Sequence, residues 1–131
     1  MLNIYKLQIN LIADDSLLFD KVSNILEIQK TDNHIKKIDG SNQVWIYEII
    51  EKNNESDYDF INNFLDLLEN KFEQLAELGI PKDFISIWYL YEYDQQCNMG
   101  FDPVRLKRLG DNGINLCISC WDSGELDNDE E

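Results

Sequence analysis

FISIWYLYEY, residues 84–93, is the stretch whose alternation decides the fold class. Ile85, Ile87, Tyr89, Tyr91 and Tyr93 share one parity, while Phe84, Trp88 and Leu90 share the other, interrupted by Ser86 and Glu92. Apolar side chains at both parities mark a strand covered on both sides, which predicts a central place in a sheet. Working outward, Leu7, Ile9 and Leu11 alternate with Lys6, Gln8 and Asn10, the pattern of a half-buried strand over residues 2–12. VWIYEII (residues 44–50) and INLCISCW (residues 114–121) are rich in β-branched and aromatic residues and read as two further strands.

Helical spacing fills the gaps between these strands. A short helix opens at Ser16 or at Asp20 as N-cap, with Val22, Ile25 and Leu26 inward. The longest periodic run is Asp57–Leu78: Phe60, Phe64, Leu67, Leu68, Leu75 and Leu78 gather on one arc. Ser56 or Asp57 is positioned to cap its start, and Gly79 with Pro81 stops it. Asn62, Asp66, Glu69, Asn70, Glu73 and Glu77 form the opposite arc, and Lys71 sits toward the buried side. Phe101-Asp102-Pro103 is a third helix start, with Asp as cap and Pro as first helical residue. Leu106 and Leu109 are expected inward, Arg105, Lys107 and Arg108 outward, with Gly110 ending the helix.

These elements predict one α+β domain over residues 1–121: a single mixed or antiparallel sheet of four to five strands with one long and two short helices. Both a ferredoxin-like arrangement and a mixed sheet fit the alternation of strand and helix. Residues 122–131 carry six acids and read as a solvated tail. Phe19-Asp20-Lys21-Val22 and Phe101-Asp102-Pro103-Val104 echo one another, which would fit a duplicated strand–helix–strand unit.

Charge bounds the function. Among 131 residues, 26 acids face 11 bases, a formal −15 with a pI near 4.2. Such a surface repels phosphate backbones, so direct nucleic-acid binding is not expected. It favours rapid association with a basic partner. The first fifteen residues lack a basic start, an uninterrupted apolar core and a cleavage site, so they read as a strand rather than a signal peptide. No apolar run approaches the roughly 20 residues of a membrane helix. Three cysteines without a secretion signal fit reduced thiols in a cytoplasm.

Candidate chemistry is sparse. Cys117 and Cys120 form a C-x-x-C, but residues three apart on a strand point to opposite faces and no second pair completes a zinc site. Buried structural thiols are the simpler expectation. Cys97 would need a base, and the single histidine, His34, falls in a different loop. Carboxylate pairs such as Asp14/Asp15, Asp57/Asp59 and Glu92/Asp94 are what 26 acids produce by coincidence. No catalytic residue, metal site or cofactor is therefore expected. Trp45, Trp88 and Tyr91 are the candidates for an aromatic ligand pocket, core packing being the plainer account of the aromatic content.

CNMGFDPVRLKRLGDNGINLCISCW (residues 97–121) resembles the C-terminal half of the bacterial domain of unknown function 4279 family, with its Phe-Asp-Pro helix start, leucine-rich short helix, glycine turn and final strand. Upstream, Phe19-Asp20 with residues 25–31 (ILEIQKT) is similar to the family's first helix and its exit, and residues 36–40 (KKIDG) with Trp45 to its Lys-Gly…Trp segment. Glu27 stands for that pattern's glycine and Lys30 for its proline. The resemblance carries no catalytic residues. It implies a small acidic protein of the kind that serves as immunity protein to a secreted toxin.

The expected function is thus a non-enzymatic, acidic protein-binding module, an immunity or antitoxin-like partner of a basic toxin or effector. Asp66, Glu69, Glu73, Glu77, Asp122 and Glu125 would meet that partner. The alternatives are small-ligand binding at Trp45, Trp88 and Tyr91, or a phage DNA mimic. A homodimer is compatible with the need to cover the second sheet face.

Overall fold

A computed structural model describes residues 2–11, 16–28, 35–38, 43–52, 58–94 and 98–122. They form a five-stranded sheet with helices on one face. In chain order the elements are β1 (Asn3–Leu11), α1 (Ser16–Ile25), β2 (Ile35–Ile38), β3 (Gln43–Glu51), α2 (Phe60–Leu68), α3 (Phe72–Glu77), β4 (Ile85–Tyr93), α4 (Pro103–Asp111) and β5 (Asn115–Asp122). A 3-10 turn, Lys82–Phe84, leads into β4. The spatial order is β2-β3-β1-β4-β5.

Four strands pair antiparallel, and β5 joins β4 in parallel. The β1–α1–β2 unit is split by β3, and the β3–helix–β4 unit is split by β1. That is the ferredoxin-like arrangement. The β4–α4–β5 crossover then adds one strand at the edge and makes the sheet mixed, so both orders open to the sequence are realised together.

The central strand is β1, not the aromatic stretch. Tyr5, Leu7, Ile9 and Leu11 on β1 are fully buried, and their register partners Ile87 and Ile85 on β4 and Trp45 on β3 are buried with them. Every helix feeds this same core: Val22 from α1, Phe64 and Leu65 from α2, Leu75 from α3 and Leu109 from α4. The opposite face of β4 carries Trp88 and Leu90 only half-buried. There, Ile4 is half-buried and Ile50 exposed, while Ile46 is buried. Double parity in β4 therefore signals an amphipathic Trp88, not a strand between two layers. The Lys6 ammonium lies 5.6 Å from that ring's centroid, and its indole N–H donates to Ser86 at 2.9 Å.

The expected long helix is two helices. Glu69 turns to an extended conformation and Asn70 adopts φ 69°, so α2 stops and α3 restarts at Phe72. Asparagine tolerates this left-handed region better than most L residues, and the apolar stripe continues on both sides, hiding the break from periodicity. Asp59 caps α2 by accepting from the Asn62 N–H at 3.3 Å; Ser56 and Asp57 lie outside the described residues.

α1 begins at Ser16, so Phe19 and Asp20 lie inside it, whereas Asp102 is the N-cap of α4. The Phe-Asp echo thus occupies unlike positions, and duplication has no support from it. Pro103 is the first residue of α4, as its ring predisposes, but the helix runs past Gly110 to Asp111. Leu109 is buried while Leu106 is exposed. Asp122 is the last residue of β5, paired in register with Tyr93, so the sheet reaches one residue past the expected domain edge.

Three helices end in one motif. Ile80 N–H bonds Leu75 C=O and Gly79 N–H bonds Ala76 C=O, the Schellman pattern, with Gly79 at φ 84°. Ile114 and Gly113 repeat it on Leu109 and Gly110, with Gly113 at φ 69°. Ile28 and Glu27 repeat it on Ser23 and Asn24, but here a glutamate holds φ 60°.

Candidate functional site

Two features compete for function: the acidic helical surface and an aromatic cleft. On the surface, α4 does not turn its arginines outward. Arg108 lies across α2, its Nη2 2.7 Å from both Asp66 and Glu69, its Nε 3.1 Å from Glu69, and its Nη1 2.8 Å from Asn62 Oδ1. Asn112 donates to Glu69 at 3.0 Å. Arg108 and then Asn112 hold the Glu69 carboxyl below the usual carboxylate range. Asp66 and Glu69 are thus answered within the chain. Glu73 and Glu77, one step along on α3, are exposed and make no ion pair among the described residues. Lys71 instead reaches Glu27 at 3.6 Å. Asp122 is half-buried, and Glu125 lies outside the described residues.

Arg105 makes the second link. Its Nε is 2.9 Å from Asp59, its Nη2 3.3 Å from the other Asp59 oxygen, and its Nη1 bonds Asp102. One guanidinium therefore joins the N-caps of α2 and α4. Arg105, with help from Asn62, keeps the Asp59 carboxyl low, and Arg105 does the same for Asp102.

Beneath this link opens a cleft of about 360 Å³. Tyr5, Phe60 and Tyr89 form its floor, with Tyr5 stacked 5.0 Å from Tyr89 and 5.2 Å from Phe60. Tyr58, Tyr91 and Phe101 are its half-buried walls. The Tyr5 hydroxyl donates to Glu51 at 2.7 Å and the Tyr89 hydroxyl to Asn3 at 2.8 Å. Burial, then the Glu51 bond, pushes the Tyr5 phenol pKa far up; burial, then Tyr47, Asp59 and Glu51, raises that of Tyr58.

Of the three aromatics expected to form a pocket, only Tyr91 reaches this cleft. Trp45 is fully buried in the core, its indole N–H donating to Ser23 Oγ at 2.9 Å. Trp88 lies on the opposite sheet face. The sequence reading missed Tyr5 and Tyr58 as site residues; the parity shared by Tyr5 with Leu7 and Ile9 was the available signal for the first. Cys117 is half-buried and Cys120 exposed, on opposite faces of an edge strand, so neither is a buried core thiol. Among the described residues no cluster of His, Cys, Asp and Glu is disposed to hold a metal. Cys97 and His34 lie outside the described residues. No helix among them is long and apolar enough to cross a membrane.

Compared with family models, curated proteins and solved structures, the chain gives no significant match.

Proposed function

We propose that this chain is a non-enzymatic binding module of the cytoplasm that occludes a basic protein, in the manner of an immunity protein meeting its toxin. The observation that carries the reading is how the chain disposes of its own positive charge. Arg105, Lys107 and Arg108 are committed to Asp59, Asp111, Asp66 and Glu69, and Lys71 to Glu27. Lys6 and Lys82 lie over the Trp88 and Phe72 rings. Six of the eleven cations are thus engaged by the chain's own carboxylates or rings, the formal charge is −15, and Glu73 and Glu77 lie exposed on α3. A field of one sign steers an oppositely charged partner and rejects like-charged ones.

The test is kinetic. Basic proteins captured from the source organism should associate at a rate that falls steeply with ionic strength, because exposed charges are screened beyond about 8 Å at physiological salt. The double substitution Glu73→Lys with Glu77→Lys should slow association about tenfold at low salt while leaving the fold intact. An association rate indifferent to both salt and these substitutions would remove the proposal.

A further inference from the structure

We propose that the tyrosine-lined cleft under Arg105 takes a compact organic cation, a guanidinium or alkylammonium group, against its ring faces. This goes beyond the electrostatic reading above and rests on a different part of the molecule. The cleft holds about 360 Å³, near the lower bound of small-ligand sites and ample for one side-chain head or one small amine. Six aromatic residues line it, from β1, the start of α2, β4 and the approach to α4. Tyr5, Phe60 and Tyr89 are buried, the latter two stacked on Tyr5, so Tyr58, Tyr91 and Phe101 are the rings accessible to a guest. Ring faces carry negative quadrupole potential, which attracts a cation within about 6 Å of the centroid.

Charge at the rim selects the sign. Among the described residues, Asp59 and Asp102 line the cleft with Arg105 as the one basic residue, a net −1 for those lining groups. Glu51 adds a carboxylate behind the Tyr5 hydroxyl. The N-termini of α2 and α4 open here, and an uncapped helix start would favour an anion. Each is already capped by its own aspartate, which spends that positive end. Burial is the main cause of the upward displacement of the Tyr5 and Tyr58 phenols, and Glu51 and Asp59 add to it. An anionic ligand would meet two carboxylates and displace the guanidinium that joins the helices. A neutral ring would forgo the rim charge altogether.

The cation has two chemical sources, a lysine or arginine side chain of a basic protein or a free amine, and matched probes separate them. Choline is compared with its neutral isostere 3,3-dimethylbutan-1-ol, and N-acetylarginine amide with N-acetylcitrulline amide, by titration of the full chain and observation of tyrosine ring resonances. In at least one pair the charged member should bind about tenfold more tightly, as desolvated cation–aromatic contacts require. A preference for the arginine amide assigns a protein side chain, and a preference for choline a free quaternary amine. Tyr91→Leu, at a half-buried wall, should weaken that binding about fivefold. The double substitution of Glu73 and Glu77 by lysine should leave it unchanged, so this site and the helical surface fail or survive separately. Equal binding within both pairs, no binding up to tens of millimolar, or ring shifts confined to the Trp88 face would each overturn the assignment. The isostere comparison on the unmodified chain stands even if Tyr91→Leu does not fold.

Discussion

The helices α2 and α3 each present a pair of carboxylates about one turn apart, yet the two pairs end in opposite circumstances. On α2, Asp66 and Glu69 are fastened to Arg108 of α4. On α3, Glu73 and Glu77 face solvent with no such partner among the described residues. The turn at Glu69 and Asn70 separates the two. The difference teaches that an acidic stripe is two things here: a fastening where arginine crosses it, and an unanswered field where none does.

Breaking the fastened half should have the largest effect. Arg108→Ala removes a forked guanidinium with 27% side-chain exposure and leaves two carboxylates and Asn62 without it. A loss of about 1–2 kcal/mol is expected, seen as a fall of roughly 3–8 °C in Tm. Glu73→Gln should change stability by less than about 0.5 kcal/mol, since its carboxylate has no ion-pair partner among the described residues. Equal losses at the two positions would dissolve the contrast.

A smaller, pH-dependent effect sharpens it. Glu69 and Asp59 have folded-state pKa values depressed chiefly by Arg108 and Arg105. A depressed carboxylate contributes stability above its unfolded value, about 4, and loses it as pH falls through the lower folded value. The Tm gap between wild type and Arg108→Ala should therefore be full at neutral pH and narrow below about pH 4. A gap that stays constant into acid would mean that Arg108 acts through packing alone.

A further test addresses the junction of α1 with α3. Glu27 occupies the left-handed position that Gly79 and Gly113 fill elsewhere, and its link to Lys71 is 3.6 Å long with the glutamate side chain 80% exposed. Glu27→Gly relieves a left-handed L residue worth about 1 kcal/mol and forfeits a pair worth a few tenths, so a net gain of about 0.5–1 kcal/mol in chemical denaturation is expected. Destabilisation instead would show that the Lys71 pair outweighs backbone strain.

Local signals carried the sequence reading well. The alternation of Leu7, Ile9 and Leu11, the Asp102-Pro103 helix start and the stop at Gly79 each depend on neighbours a few residues away, and each is present in the fold. What escaped depends on distant packing. Arg108 meets Glu69 across 39 residues of chain, and no helical-wheel pattern reports which face of α4 lies against α2. The break at Asn70 was masked because Leu68 and Leu75 remain buried on either side of it. The cleft needs Tyr5, Tyr58, Tyr89 and Phe101, drawn from four separate segments, and only Tyr89 and Tyr91 stood in the stretch that organised the reading.

Strands β1 to β4 already complete the split arrangement of the sheet, so β4–α4–β5 is an addition to it. In the described residues α4 buries one side chain, Leu109, and its polar hold on the rest is two arginines and its C-cap Asn112. Amide protons of α4 should then exchange with solvent ahead of those in β1, through a local opening that spares the sheet. Anything seated beneath Arg105 would retard that opening. The add-on helix thus makes a natural reporter of occupancy: its exchange rate registers a bound guest without any label on the guest itself.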